Sequence, residues 1–259
     1  MASEEKEVNP TQNVRILNEV GGLPFIDTSF LPSKLLTLAA CVRRNIDGQK
    51  HELSVYAQPN MAHAVYQQVT TTTPLPHGEL SLEEYQKVEC AIRRIVDVCP
   101  AWRPMFGIRV DYYKLHNHML SSSNPLIPQH IFFGADAFRS KVRLEEIVIH
   151  EMSHVWSSLI AEISDFQDKE NPGSFVLPSG IADKNARGVL LASLFAASVL
   201  IYFRALPEDH EERDYAQDRF QYLGVYLDKS LDSLESSPSL TATGLEIKNR
   251  LREFSVKFK

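Results

Sequence analysis

Between residues 145 and 156 the chain reads EEIVIHEMSHVW, and within that stretch His150-Glu151-Met152-Ser153-His154 follows an HExxH pattern. Residues four apart on an α-helix lie on one face, a turn apart. His150 and His154 can therefore aim two imidazole nitrogens at one ion, at about 2.0–2.1 Å for zinc. Glu151 is rotated by about 100° from His150, and in HExxH peptidases that position carries the general base rather than a ligand. The surroundings are apolar, with Ile147, Val148, Ile149, Val155 and Trp156 close by. Two histidines and a glutamate on such a helix need partners if they are buried, and a metal ion would satisfy them together. The competing reading is a purely structural helix, since a pattern of three fixed positions recurs by chance.

Metal centres that do chemistry usually combine three protein ligands with an open position. The longer HExxHxxGxxH pattern does not follow, because positions 157 and 160 hold Ser157 and Ile160. Glu162 is the local candidate for a third ligand. It lies eight residues past His154, about 80° away around the helix, where it could bind the metal or support a residue that does. Asp165, Asp168 and His210 are further options, as are His116 and His118 if KLHNHML is extended.

The elements that must position these residues are legible in outline. Residues 1–12 are polar and acidic and read as a disordered tail. Pro32 to Asp47 carries a helical apolar pattern that stops at Asp47-Gly48. Prolines, Gly78 and a threonine run make residues 58–80 read as mostly irregular. Ser81-Leu82-Glu83-Glu84 is a capping box opening a helix that Pro100 ends. GIRVDYYKL (107–115) alternates as a strand does, and HIFFG (130–134) reads as a second short strand. The motif helix spans roughly 137–164, a loop follows over 167–180, and helices are expected near 183–206, 210–236 and 243–256. The fold class is therefore α+β and mostly helical: a small sheet precedes a long HExxH helix, and the C-terminal half is all helix. Residues 13–259 read as one domain, with an α+β portion over 13–120 and the HExxH portion over 121–259.

Composition narrows the function classes. A net charge of −6 offers no basic footprint for nucleic acid, and no basic run is dense enough for a membrane-surface patch. The apolar run GVLLASLFAASVLIYF (188–203) is shorter than the roughly 20 residues needed to span a bilayer, so a buried helix explains it better. Three cysteines, none in CxxC spacing, make no disulfide framework and point to a reducing, cytoplasmic compartment.

From about Ser121 to the C-terminus the chain resembles the HExxH-motif domain of clusters that modify ribosomally made peptides. The resemblance rests on an ordered set: the HExxH helix, LIAEISDF with its acid at Glu162, a Pro- and Gly-containing loop, KNARGVLLASLFAASVLIYFRAL, and Leu240-Thr241-Ala242-Thr243-Gly244. Where the family pattern has a histidine in L-L-H-G, this chain has Leu191. The family's arginine position before that helix is Lys184, with Arg187 three residues on. The resemblance implies an Fe(II)- and 2-oxoglutarate-dependent enzyme that hydroxylates a peptide side chain, commonly at the β-carbon, during natural-product maturation. Its partner would be a peptide, such as a leader-containing precursor. His150 and His154 would be metal ligands, Glu162 a ligand or its support, and Glu151 an orienting or proton-handling group. A cation would hold the distal carboxylate of 2-oxoglutarate; Arg187 is the first candidate, followed by Lys184 and Arg204. The alternative is a zinc peptidase with Glu151 as general base, and the third reading is a non-catalytic relative that binds a peptide.

Overall fold

Ser81 caps its helix as the spacing predicts. Its Oγ accepts from the Glu84 N–H at 3.2 Å, and the Glu84 carboxylate accepts from the Ser81 N–H at 3.0 Å, so two orphan donors of the first turn are met. This helix is one element of a computed structural model that describes residues 15–72 and 74–258. The tail expected over residues 1–12 lies outside the described residues.

The helices are α1 (Arg15–Glu19), α2 (Pro32–Asp47), α3 (Leu53–Tyr56), α4 (Pro59–Val69), α5 (Leu82–Val98), α6 (Lys141–Ile163), α7 (Ala186–Ala205), α8 (Arg213–Ser233) and α9 (Ala242–Phe258). The strands are β1 (His77–Glu79), β2 (Asp111–Leu115), β3 (Ser121–Asn124) and β4 (Ile127–Phe133). They form one sheet in the order β1-β2-β4-β3, with β2 and β4 parallel and both outer pairings antiparallel. The expected mostly helical α+β class is what the chain adopts.

The irregular stretch expected over 58–80 is corrected. Pro59 stands in the first turn of α4, where its missing N–H costs nothing, and Ala62 and Val65 are buried on one face of that helix. The strand expected over 130–134 is longer and begins at Ile127. It is buried along its whole length because α4 and α6 both pack against it, which explains its continuous rather than alternating apolar character.

Ser140 caps α6, accepting from the Arg143 N–H at 3.2 Å. Asn185 caps α7, accepting from the Gly188 N–H at 2.8 Å. Helix α7 packs on both α6 and α8. It is long and apolar enough to cross a membrane, yet 78% of its most apolar window is buried inside the protein, so it serves as a core helix. The Leu240–Gly244 stretch docks α9 against the end of α6. Thr241 donates through its N–H to the Phe166 carbonyl and through its hydroxyl to the Asp165 carbonyl, and a Cβ on Gly244 would stand 2.0 Å from the Phe166 oxygen. One hydrophobic cluster runs from Ile16 on α1 to Leu251 on α9, with Trp156 and Tyr202 fully buried in it.

Helix α6 is buried nearly all round, so its carboxylates must be met from other elements. Glu145 accepts from Arg94 on α5 and from the Tyr202 hydroxyl on α7 at 2.6 Å. Glu162 accepts from Arg43 on α2 through both oxygens, each at 2.8 Å. Arg43 is fully buried and also donates to the Tyr56 carbonyl at 2.9 Å and to Gln129 Oε1 at 2.8 Å. Gln129 itself takes a left-handed backbone, φ 60°, and its amide donates to the Ala57 and Arg109 carbonyls. This network ties the N-terminal helices, β4 and the end of α6 together. Arg43→Ala would strand the Glu162 charge, and we expect a loss of about 3–5 kcal/mol. Lys34→Ala, which removes the exposed Lys34–Glu19 pair, is expected to cost less than about 1 kcal/mol. Urea denaturation of the two variants measures the contrast.

Candidate metal centre

One face of α6 carries Arg143, Glu146, His150 and His154, at helical spacings of three and four residues. All four line one cavity of about 560 Å³. Helix α7 supplies an apolar wall that includes Leu191 and Phe195, α8 supplies Tyr215 and Arg219, and the loop before α7 supplies Lys184. The motif thus opens onto a space large enough for a small-molecule or peptide ligand.

The two imidazoles meet edge to face, with ring centroids 4.5 Å apart. His150 also stacks on Phe195, centroids 4.1 Å and planes 19° apart. Burial pushes the His150 pKa down to about 4, with the nearby Arg219 charge adding to the shift. Because 31% of its side chain still faces the cavity, water there moderates the effect. Burial likewise pushes His154 down to about 3; His150, Lys184 and Arg187 add to the shift and Glu151 opposes it. Both rings are therefore neutral at physiological pH, the form in which imidazole binds a metal.

Glu151 is buried, and its Oε1 lies 4.0 Å from His150 Nε2. Among the described residues its Oε2 has no hydrogen-bond partner, and neither has His154 Nδ1. Orphaned polar atoms of this kind carry a desolvation cost unless something else engages them. Two neutral imidazoles beside an unengaged carboxylate fit a divalent metal. Among the described residues no group of three or more His, Cys, Asp or Glu side chains is gathered to hold one. Leu191, the position at which the resemblance has a histidine, does face the same cavity.

Other expected site residues are distributed unevenly. Lys184 lines the cavity. Arg187 does not; it is half-buried near Asp165, Tyr66 and Glu162, and its desolvation lowers its pKa. Arg204 is a correction: it sits near the far end of α7, its guanidinium 4.7 Å over the Phe258 ring and donating to the Phe258 carbonyl, with no access to the histidine pair. Glu162 as third ligand is a second correction, because both its oxygens are engaged by Arg43. It shares with His154 only a separate void of about 10 Å³ against β4. Asp165, Asp168, His116, His118 and His210 stand outside the cavity wall.

Arg143, Glu146 and Arg219 also line the cavity, beyond the residues to which the motif points. The first two had a signal, since they continue the His150–His154 face back by one and two turns. Arg219 had none: it reaches Glu146 from α8, across 73 residues, and Tyr215 joins it at 2.9 Å.

Compared with known proteins, the chain matches no family model, and no curated protein matches it in sequence.

The depressed histidine pKa values carry a stability consequence for the metal-free chain. The unfolded chain takes up these protons near pH 6.5, whereas the folded chain takes them up only near 4 and 3. Stability from the pair is complete above about pH 6.5 and falls as the pH drops toward those values. Denaturation midpoints between pH 7.5 and roughly 4.5 are expected to fall less steeply in a His150→Gln/His154→Gln variant than in the native chain. Equal slopes would mean the rings titrate normally.

Proposed function

We propose that the chain is an Fe(II)- and 2-oxoglutarate-dependent enzyme that hydroxylates a peptide side chain, with His150 and His154 as its metal ligands. The observation that carries this reading is the pair of neutral imidazoles opening, with the cation Lys184, onto one 560 Å³ cavity. Bound there, iron with the keto acid would supply the oxidising chemistry that no side chain can. Lys184 and Arg187 both act electrostatically on His154, which makes that end of the cavity favourable for a dicarboxylate co-substrate. Of the two, Lys184 is the better placed to hold its distal carboxylate, because it lines the cavity. Phe195 stacks on His150 and excludes water from one face of the ring. Glu151, with no partner at Oε2 among the described residues, would orient His150 or hold a proton beside it from behind the cavity wall. Three free thiols, Cys41, Cys90 and Cys99, suit a reducing, cytoplasmic setting.

Glu151 also favours a second reading. Its carboxylate lies 4.0 Å from a motif histidine, with Oε2 unpartnered among the described residues, and holds the motif position at which a zinc peptidase carries its general base. The non-catalytic alternative draws on Leu191, an apolar side chain on the wall where a third ligand is expected.

An anaerobic titration of the metal-free chain with Fe(II), then 2-oxoglutarate, tests the reading. A visible charge-transfer band that needs both additions and is lost in His154→Ala is the expected result. Tight zinc without such a band, and proteolysis abolished in Glu151→Gln, would transfer the assignment to hydrolysis. Failure to take up either metal would overturn both enzyme readings.

A further inference from the structure

The charges around the cavity do not balance. Glu146 is committed to Arg219, whose Nε donates to both its oxygens at 3.1 and 3.2 Å, and to the Tyr215 hydroxyl. Arg143, one turn earlier on the same helix face, is left without a counter-ion. Among the described residues its guanidinium makes no hydrogen bond or ion pair, and its Nε is shielded from solvent with no acceptor. An arginine donor shielded from water and unmet costs stability, and its fork matches a carboxylate bidentately.

Its position sets a distance. Seven residues separate Arg143 from His150, a rise of about 10.5 Å along α6, which an extended peptide covers in about three residues at roughly 3.3–3.6 Å each. Along this part of the cavity the α8 wall is lined by Tyr215, whose hydroxyl is held by Glu146, and by Tyr222, whose ring lies 5.0 Å under the Arg219 guanidinium.

We infer that the Arg143 end of the cavity is a substrate subsite for a carboxylate, so that the peptide taken up carries an acidic group about three residues from the position presented to His150 and His154. The inference rests on the proposed function for the substrate being a peptide. The guanidinium then finds in the bound ligand the acceptor it lacks within the chain, and the acid sets the register in which the peptide lies along α6.

Binding to the metal-free chain tests this without catalysis. Acetylated, amidated heptapeptides of alanine and serine, each carrying one Glu or one Gln at the same place, are titrated into the protein and followed by ¹H–¹⁵N NMR. The Glu peptide is expected to bind about tenfold or more tightly than its Gln partner and to move the Arg143 Nε–H resonance. Arg143→Gln, with an otherwise native spectrum, is expected to erase the preference, and Arg143→Lys to retain part of it. A Gln peptide with a free C-terminal carboxylate distinguishes an acidic side chain from a chain end as the group bound. Equal binding of Glu and Gln peptides, binding of neither, or a preference that survives Arg143→Gln overturns the subsite. A Glu preference that persists where no iron and 2-oxoglutarate band forms would sink the oxygenase reading alone. The band without the preference would sink the subsite alone.

Discussion

Burying α6 on nearly every side while it carries four glutamates and two histidines is the constraint from which the rest of the architecture follows. A carboxylate in an apolar interior must be paired or it will not stay ionised. Three of the four are answered by an arginine from a different helix: Glu145 by Arg94 on α5, Glu146 by Arg219 on α8 and Glu162 by Arg43 on α2. Each pair fixes a neighbouring element against α6 in one register. Glu151 is the exception, and it sits between the two histidines in sequence. Among the described residues, the helix also leaves Arg143 Nε and His154 Nδ1 without a partner, and both of those side chains line the cavity.

The same helix divides its labour along its length. Its first turns present Arg143 and Glu146 to α8, its middle presents the histidines to α7, and its end is locked to α2 by Glu162. Helix α7 contributes chiefly apolar surface to the cavity, through Leu191 and Phe195. That surface dries the imidazoles and keeps them neutral, and so suits a metal without itself offering a donor. The polar groups of the cavity come instead from α6, α8 and the loop that carries Lys184.

Local signals in the sequence were dependable where the physics is local. The Ser81 capping box, the helix from Pro32 to Asp47 and the three C-terminal helices all depend on caps, breakers and periodicity within a few residues. The stretch from 58 to 80 is deceptive because prolines and threonines read as breakers, although Pro59 occupies a position that favours helix. The length of β4 was obscured because a strand covered on both faces has no alternation to read.

By itself the sequence determined that His150 and His154 share a helical face and that an apolar helix carries them, since both follow from spacing and composition. The unequal fates of Glu162 and Lys184 were decided only in the tertiary structure, as was the pairing of Glu146 with Arg219. Arg43 and Glu162 are 119 residues apart in the chain, and Glu146 and Arg219 are 73 apart. No periodicity links residues at such separations. Which cation reaches a buried carboxylate, and which is left facing the cavity, depends on how whole helices pack, because the cost of an unpaired buried charge is felt only once the surrounding helices have excluded water.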